Sequence, residues 1–167
     1  VKQVHGDSIH IVDAEDKKGY EKMEADAIIT NLKNAVIGIL TADCVPVLIY
    51  DPVKRAGGVS HAGWKSAALG IASKTVKAMT KTFGSNPSDM LAAIGPGIGV
   101  CCYDVNTDVE NEFRKRYKDA SLYINEGRVD LKGMNLLDLK QAGLKKENIS
   151  VSNICTSCRN DIFFSYR

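Results

Sequence analysis

Hydrophobic and polar positions vary along the chain in two ways, as short apolar runs and as amphipathic stretches of helical length. This mixture favours an α/β or α+β domain in which mixed β-sheets are flanked by helices. The predicted strands cover 1–5, 8–13, 26–30, 34–41, 45–50, 56–60, 90–94, 121–124 and 149–154. Residues 35–41 read AVIGILT and have no polar face, which is typical of a strand buried on both sides.

Three helices are predicted from apolar positions that recur at helical spacing, at about 63–83, 107–118 and 134–142. In the first, the apolar stripe consists of Leu69, Ala72, Val76 and Met79, and Gly84 is placed to end the helix. In the second, Thr107 and Glu110 have the spacing of a capping box. The glycine-rich GPGIG at 95–99 lacks the G-x-G-x-x-G form, which disfavours dinucleotide binding.

Charge and cysteine usage narrow the class of protein. A net charge of +2 is too balanced to predict nucleic-acid binding, and no apolar run approaches the roughly 18 residues of a membrane span. Five cysteines, two of them adjacent, make an awkward disulfide framework and indicate free thiols in a reducing compartment. We therefore expect a cytoplasmic protein, monomeric or a small homo-oligomer, with a small-molecule partner and neither a nucleic acid nor a membrane.

Residues 1–167 are expected to form a single domain. The chain opens in a predicted strand and closes directly after the apolar run 162–164, whereas natural termini are more often polar. This pattern suggests a piece of a longer protein.

Three potential metal ligands follow three of the apolar runs: His5 after VKQV, Cys44 after the run that ends in TAD, and His61 after AGGVS. Strand ends in α/β proteins converge on one crevice, so we expect these side chains to meet. Imidazole nitrogen and thiolate sulfur suit tetrahedral zinc, and three protein ligands leave one position open, as in catalytic zinc sites. Such an ion lowers the pKa of a water molecule or polarises a leaving group.

Two other interpretations of the same residues stay open. In the first interpretation, both histidines are packing residues whose hydrogen bonds are satisfied within the protein, and Cys44 is a small buried hydrophobic residue. In the other, Cys44 is a cysteine nucleophile with a nearby histidine and Asp43 as its partners. One cysteine does not easily serve as nucleophile and zinc ligand at once, so metal content decides between the two.

The remaining cysteines give weaker indications. Cys155 and Cys158 form a C-x-x-C, which is a redox pair or half a zinc site in other proteins, but no second C-x-x-C accompanies it. Cys101 and Cys102 follow the GPGIG turn, where a buried structural role is the simplest interpretation.

Five motifs occur in a fixed order: QVHG at 3–6, TADC at 41–44, HAGW at 61–64, GPGIGVCCYDV at 95–105, and CT at 155–156 with FFSYR at 163–167. Together they resemble the YfiH-type family, also called the multicopper polyphenol oxidase or laccase-domain family. The resemblance implies zinc bound by His5, Cys44 and His61, and a sandwich-like mixed-sheet α/β fold shared with a toxin deamidase. It also implies an N-terminal segment, with a TTR-x-GG-like motif, that precedes QVHG in the family and is absent from this sequence.

The activity implied by the resemblance is phosphorolysis of purine nucleosides, with adenosine deamination and methylthioadenosine cleavage also described in the family. Asp43 is then the nearest carboxylate for proton transfer or for orienting a ligand. Lys65 and Arg167 are candidate cations for phosphate, and Gln3, Cys102 and Tyr103 are candidate pocket residues. The family usually has Arg-Gly where this chain has Lys65-Ser66, and lysine lacks the bidentate fork of arginine.

Four alternatives remain. Copper-dependent polyphenol oxidation is disfavoured, because multicopper chemistry needs many histidines and the chain has three. The others are editing of peptidoglycan precursors, a cysteine hydrolase, and a non-catalytic zinc-binding module. A zinc enzyme that acts on adenosine, inosine or methylthioadenosine is the leading hypothesis.

Overall fold

A computed structural model of the chain describes residues 1–14 and 22–167. The strands of these residues are β1 (Ile9–Val12), β2 (Ala27–Thr30), β3 (Val45–Asp51), β4 (Ala56–Ala62), β5 (Leu91–Ile94), β6 (Ile124–Asn125), β7 (Arg128–Val129) and β8 (Ile149–Val151). The helices are α1 (Trp64–Ala68), α2 (Ile71–Phe83), α3 (Thr107–Arg116) and α4 (Leu131–Gln141). Among the described residues, no helix combines the length and the apolar character that crossing a bilayer requires.

Six strands form a mixed sheet in the order β1-β2-β4-β3-β5-β8, while β6 and β7 form a separate two-stranded hairpin. The outer pairs β1–β2 and β5–β8 are parallel, and the three central pairings are antiparallel. Helix α2 packs on β2 and β4, and α4 packs on β3, β5 and β8. The expected class, a mixed sheet flanked by helices, is therefore confirmed.

Alternate residues of β3 show that the sheet has one covered and one open face. Val45, Val47 and Ile49 are buried under the helices, whereas Leu48 and Tyr50 are about half exposed on the other face. Burial therefore alternates along β3 with the period of two expected for a strand covered on one side.

Most predicted strands are confirmed within one or two residues, namely those at 8–13, 26–30, 45–50, 56–60 and 90–94; of the one at 149–154, only 149–151 is strand. The strand predicted at 121–124 is wrong, because Leu122 and Tyr123 close a 3₁₀ turn on Asp119 and Ala120. Only residue 124 of that range belongs to β6.

The strand predicted at 34–41 is also wrong. No residue of this segment belongs to a strand, and Val36 and Leu40 are 98% and 85% exposed. The segment does not join the sheet; the backbone N–H and C=O of Leu40 bond to the side chain of Gln3. An apolar sequence with no polar face indicates contact with another apolar surface, but it does not identify a strand.

The strand predicted at 1–5 reduces to a single bridge between Lys2 and Glu24. The backbone turns away at His5, whose φ of 58° lies in the left-handed region. The N–H groups of Val4, His5 and Gly6 all donate to the Asp26 carboxylate, so a side chain takes the place of a partner strand.

The helix predicted at 63–83 is two helices separated by Leu69 and Gly70. Gly70 adopts φ 76°, and the Arg116 guanidinium occupies the space where a Cβ at position 70 would stand. Leu69 is therefore exposed rather than part of the apolar stripe, while Ala72, Val76 and Met79 are buried as expected.

The other two helices begin at different residues than predicted. Asn106, not Thr107, caps α3 by accepting from Val109 N. Asp130 caps α4 by accepting from Gly133 N, so that helix begins three residues before position 134.

Asp138 on α4 joins three elements at the break between α1 and α2. Its carboxylate accepts from Ser73 N at 2.7 Å, from Arg116 Nη2 at 3.0 Å and from the Tyr117 hydroxyl at 3.0 Å. We expect Asp138→Asn to lower the free energy of unfolding by about 1–3 kcal/mol, because a buried charge-assisted network loses its anion. Urea denaturation measures this change.

Glu112→Gln is the matched control for Asp138→Asn. It removes the exposed ion pair with Lys115, whose loss should change stability by less than about 0.5 kcal/mol. Equal midpoints for both variants would contradict a structural role of the Asp138 network.

Candidate metal centre

The three predicted ligands meet at one end of the sheet. Cys44 directly precedes β3 and His61 lies near the end of β4, and because these strands are antiparallel neighbours both residues reach the same edge. His5 lies in the loop before β1. The Cys44 Sγ is 3.7 Å from His5 Nε2, and the two histidine rings meet edge to face with centroids 4.7 Å apart.

The arrangement fits a tetrahedral zinc ion. One ligand atom from each of the three side chains lies within 4.8 Å of the others. Zn–N and Zn–S distances of about 2.1 and 2.3 Å at tetrahedral angles give ligand–ligand separations of about 3.4–3.7 Å, close to the observed Cys44–His5 separation. Two imidazoles and one thiolate leave a fourth position for another group.

Asp26 is buried and holds two of these ligands in place. Its carboxylate contacts His61 Nδ1 at 2.8 Å, which leaves Nε2 of that ring as the metal-binding atom. The same carboxylate accepts the backbone N–H groups of the loop that carries His5. Burial raises the pKa of Asp26, but the His61 and backbone hydrogen bonds outweigh it and lower the pKa overall. Asp26 is thus an ionised orienting group.

In the absence of a bound cation, the surroundings of Cys44 and His5 favour the neutral form of both side chains. Burial, followed by the charges of Asp43 and Asp26, raises the pKa of the Cys44 thiol to about 11. Burial and the neighbouring His61 lower the pKa of His5, which favours a neutral imidazole. Cys44 is therefore a protonated thiol without a cation at neutral pH, which disfavours a free cysteine nucleophile.

Asp43 contacts the C-terminal segment. Its carboxylate accepts from Thr156 Oγ1 at 2.7 Å and from Tyr166 N at 2.6 Å, and its backbone adopts φ 72°. Both carboxylate oxygens therefore have partners within the chain. The predicted catalytic role of Asp43 and Cys44 stays a prediction. The carboxylate that contacts a ligand histidine is Asp26 rather than Asp43, whose partners are Thr156 and Tyr166.

A cavity of about 380 Å³ opens over the three ligands. It is lined by Gln3, His5, Leu40, Thr41, Ala42, Cys44, His61, Phe164 and Tyr166. Gln3, predicted to bind substrate, lines this cavity while its amide pairs with the backbone of Leu40 in both directions at 2.8 Å. Phe164 and Tyr166 expose almost their whole side chains beside it.

The other predicted substrate residues lie in three different places. Lys65 lines a neighbouring cavity of about 230 Å³ with His5 and Trp64, and its ammonium lies 5.4 Å from the Trp64 ring centroid. The Arg167 guanidinium lies 5.7 Å from the centroid of the buried Tyr103 ring. Cys102 contacts other cysteines instead of the cavity. The structure does not bring these residues together around the three ligands, and their assignments as substrate-binding residues stay predictions.

Asp26 and Gly63 contribute to the candidate site, but the sequence analysis assigned neither of them a role. Asp26 is the first residue of the predicted strand 26–30, and a carboxylate at the start of that apolar run is the signal that the sequence offered. A Cβ added at Gly63 would stand 2.7 Å from His5 Cδ2 and 2.9 Å from Cys44 Sγ. The glycine of HAGW is therefore required by the close approach of two ligand side chains.

Gly63→Ala should displace His5 and Cys44 and weaken zinc binding by about 10- to 100-fold, the range seen when groups that orient ligands are changed. Competition with a chromophoric chelator measures this affinity. Gly57→Ala is the control, since a Cβ at Gly57 meets nothing within 4 Å. Equal affinity in the two variants would contradict the close packing of the ligands.

Comparisons with known proteins show similar sequences and a similar fold. Residues 1–167 match the sequence profile of the family described as multi-copper polyphenol oxidoreductase laccase. Purine nucleoside phosphorylase YlmD of Bacillus subtilis is 44% identical over 147 residues, which are 85% of this chain and 53% of that protein. Adenosine deaminase RL5, from an unknown prokaryotic organism, is 34% identical over 148 residues, 85% of this chain and 56% of that protein.

A solved structure of similar shape is the crystal structure of the Bacillus licheniformis hypothetical protein YfiH. It superposes with a TM-score of 0.92 at 40% identity, over 99% of this chain and 66% of that one. The chain thus spans about half the length of the two curated relatives and two thirds of the solved structure.

Proposed function

Because the chain belongs to the multi-copper polyphenol oxidoreductase laccase family, we propose that it binds one zinc ion through His5, Cys44 and His61 and cleaves purine nucleosides with phosphate. The observation that carries this proposal is the convergence of the three ligand atoms within 4.8 Å, below an open cavity. The name of the Bacillus subtilis relative supports phosphorolysis as the reaction.

The chain's residues have distinct tasks in this proposal. Asp26 fixes the His61 ring and the loop of His5, so the ligands are held in place before a metal arrives. A zinc ion bound there would supply Lewis-acid polarisation of a substrate atom. The exposed rings of Phe164 and Tyr166 offer flat apolar surfaces against which a purine can stack.

A phosphate needs cationic partners beside the cavity. Lys65 lines the adjacent cavity with His5, and Arg167 follows Tyr166 directly in the chain. We propose Lys65 and Arg167 for this task, since both have cationic side chains and a phosphate is bound mainly by charge and hydrogen bonds.

The experiment is an incubation of the zinc-loaded chain with inosine and phosphate, with products separated by liquid chromatography. Phosphorolysis yields hypoxanthine and ribose 1-phosphate, and Cys44→Ser should abolish it. The release should require phosphate, so an assay without phosphate is the matched control. A fully zinc-loaded chain that releases no base would contradict the proposal.

Deamination of adenosine is the second candidate, favoured by the name of the RL5 relative. The same chromatography distinguishes the two reactions, because adenosine gives inosine and ammonia by deamination but adenine by phosphorolysis. Copper-dependent phenol oxidation has less support, because the sequence contains only three histidines and two of them belong to this one site.

A further inference from the structure

The four cysteines that take no part in the candidate metal centre meet in one place, here called the thiol cluster: Cys101, Cys102, Cys155 and Cys158. No second C-x-x-C accompanies the pair 155 and 158 in the sequence, but the fold places the adjacent cysteines 101 and 102 against that pair. We propose that the thiol cluster is a second metal site, in which four cysteine thiolates hold a structural zinc ion and fasten the C-terminal segment 155–167 to the loop 97–103.

The spacing of the sulfur atoms matches such an ion. The Cys158 Sγ is 3.6 Å from Cys101 Sγ and 3.5 Å from Cys102 Sγ, and all four sulfur atoms lie within 4.8 Å of one another. A tetrahedral site with Zn–S bonds of about 2.3 Å has S···S edges of about 3.8 Å. The cluster therefore needs only small side-chain adjustments to enclose a zinc ion.

The backbone around Cys155 is arranged as a support for a thiolate ligand. The N–H of Gly99 donates to Cys155 Sγ at 3.1 Å, and the N–H of Cys158 donates to the same sulfur. Thr156 N donates to Gly97 O at 3.2 Å, which joins the two segments beside the cluster. Hydrogen bonds of this kind orient metal ligands and stabilise their charge.

The surroundings also balance the charge. Four thiolates around a divalent ion carry a net charge of −2, which needs nearby cations in a partly buried site. Lys132 has a buried side chain, donates to the carbonyls of Ser152 and Ile154, and interacts electrostatically with Cys155 and Cys101. The guanidinium of Arg128 interacts in the same way with Cys101 and Cys102.

A single metal ion accounts for the position of Cys158, which lies almost equally close to Cys101 and to Cys102. A disulfide of Cys158 would select one of these two neighbours, whereas a metal ion is bound by all of them at once. Four cysteine ligands with no open position make a closed site, which is typical of structural zinc. Its role would be to hold the segment whose Thr156 and Tyr166 contact Asp43, next to Cys44.

The test isolates the thiol cluster in the Cys44→Ala background, where the first site has lost its thiolate. The full chain is reduced, freed of metal under argon and titrated with Co²⁺ and then with Zn²⁺. We expect the chain to bind one equivalent of cobalt. The complex should show the intense thiolate charge-transfer and ligand-field absorption of a tetrahedral four-sulfur site, and one equivalent of zinc should then displace the cobalt. Adding Cys158→Ser should remove this spectrum and weaken zinc binding at least ~100-fold, while adding Ser157→Ala should leave both unchanged.

Limited trypsin digestion gives a second measurement in the same background. Arg159 directly follows the cluster and is exposed, so cleavage there should be slow with zinc bound and several-fold faster after chelation.

Three results would overturn the proposal: a Cys44→Ala chain that binds no metal although its four cluster thiols are reactive, a disulfide within the cluster in anaerobically purified protein, or iron in place of zinc. None of these results bears on the His5–Cys44–His61 site.

Discussion

Asp26→Ala is expected to lower the free energy of unfolding by about 3–5 kcal/mol, the cost of removing one partner from a buried charged network. The Asp26 side chain is fully buried, and its loss leaves the N–H groups of Val4, His5 and Gly6 and the Nδ1 of His61 without an acceptor. The loop that carries His5 also loses its anchor. Chemical denaturation of the metal-free chain measures the change without any contribution from a bound ion.

Asp7→Ala is the matched control for Asp26→Ala. Asp7 forms an ion pair with Lys74 in which both side chains are 39% exposed, and such pairs contribute at most about 1 kcal/mol. If the two aspartate variants unfold at the same denaturant concentration, Asp26 does not organise this edge of the sheet.

Cys44→Ala is expected to abolish zinc binding at the first site while leaving the fold intact. The substitution removes the thiolate, and two histidines alone make an incomplete set for tetrahedral zinc. Because the loss of groups that merely orient ligands costs 10- to 100-fold in affinity, loss of a ligand should cost at least ~100-fold. Zinc per chain, measured by plasma mass spectrometry, should fall by one equivalent relative to the unmodified chain.

His10→Ala is the control for Cys44→Ala. His10 lies in β1 and has no ligand atom near the candidate metal centre, so its replacement should leave zinc content unchanged. Unchanged zinc content in the Cys44→Ala variant would contradict the assignment of Cys44 as a ligand.

The ligands could be predicted from the sequence because their positions follow local patterns. Cys44 directly precedes β3 and His61 lies near the end of β4, and both strands formed nearly as predicted. The convergence of strand ends then brought the side chains together. The position of His5 does not follow from a strand pattern, because the residues expected to form a strand at 1–5 form a loop that is bent by hydrogen bonds to Asp26.

Contacts between distant residues explain most of the failures. Gly70 breaks the first predicted helix because Arg116, 46 positions later, fills the space above it and Asp138 accepts from the first turn of α2. Neither Arg116 nor Asp138 lies within the stretch of sequence whose helical periodicity predicted this helix. The segment 34–41 shows the converse, because Val36 and Leu40 stay almost fully exposed although the sequence of the segment is apolar.

The thiol cluster was missed for a related reason. An adjacent Cys101-Cys102 pair does not have the spacing of a known zinc-ligand motif, and 52 residues separate Cys102 from the next cysteine, Cys155. The turn after β5 and the bridge between Gly97 and Cys155 bring the two pairs together. Tertiary structure, rather than ligand spacing, defines this group.

An anomalous-difference map at the zinc absorption edge, from crystals of the reduced chain grown with zinc, tests the central claim most directly. The account predicts a peak about 2.1 Å from His5 Nε2 and from His61 Nε2 and about 2.3 Å from Cys44 Sγ, with one coordination position open to the cavity. A map from zinc-containing crystals with no peak among these three side chains would contradict it.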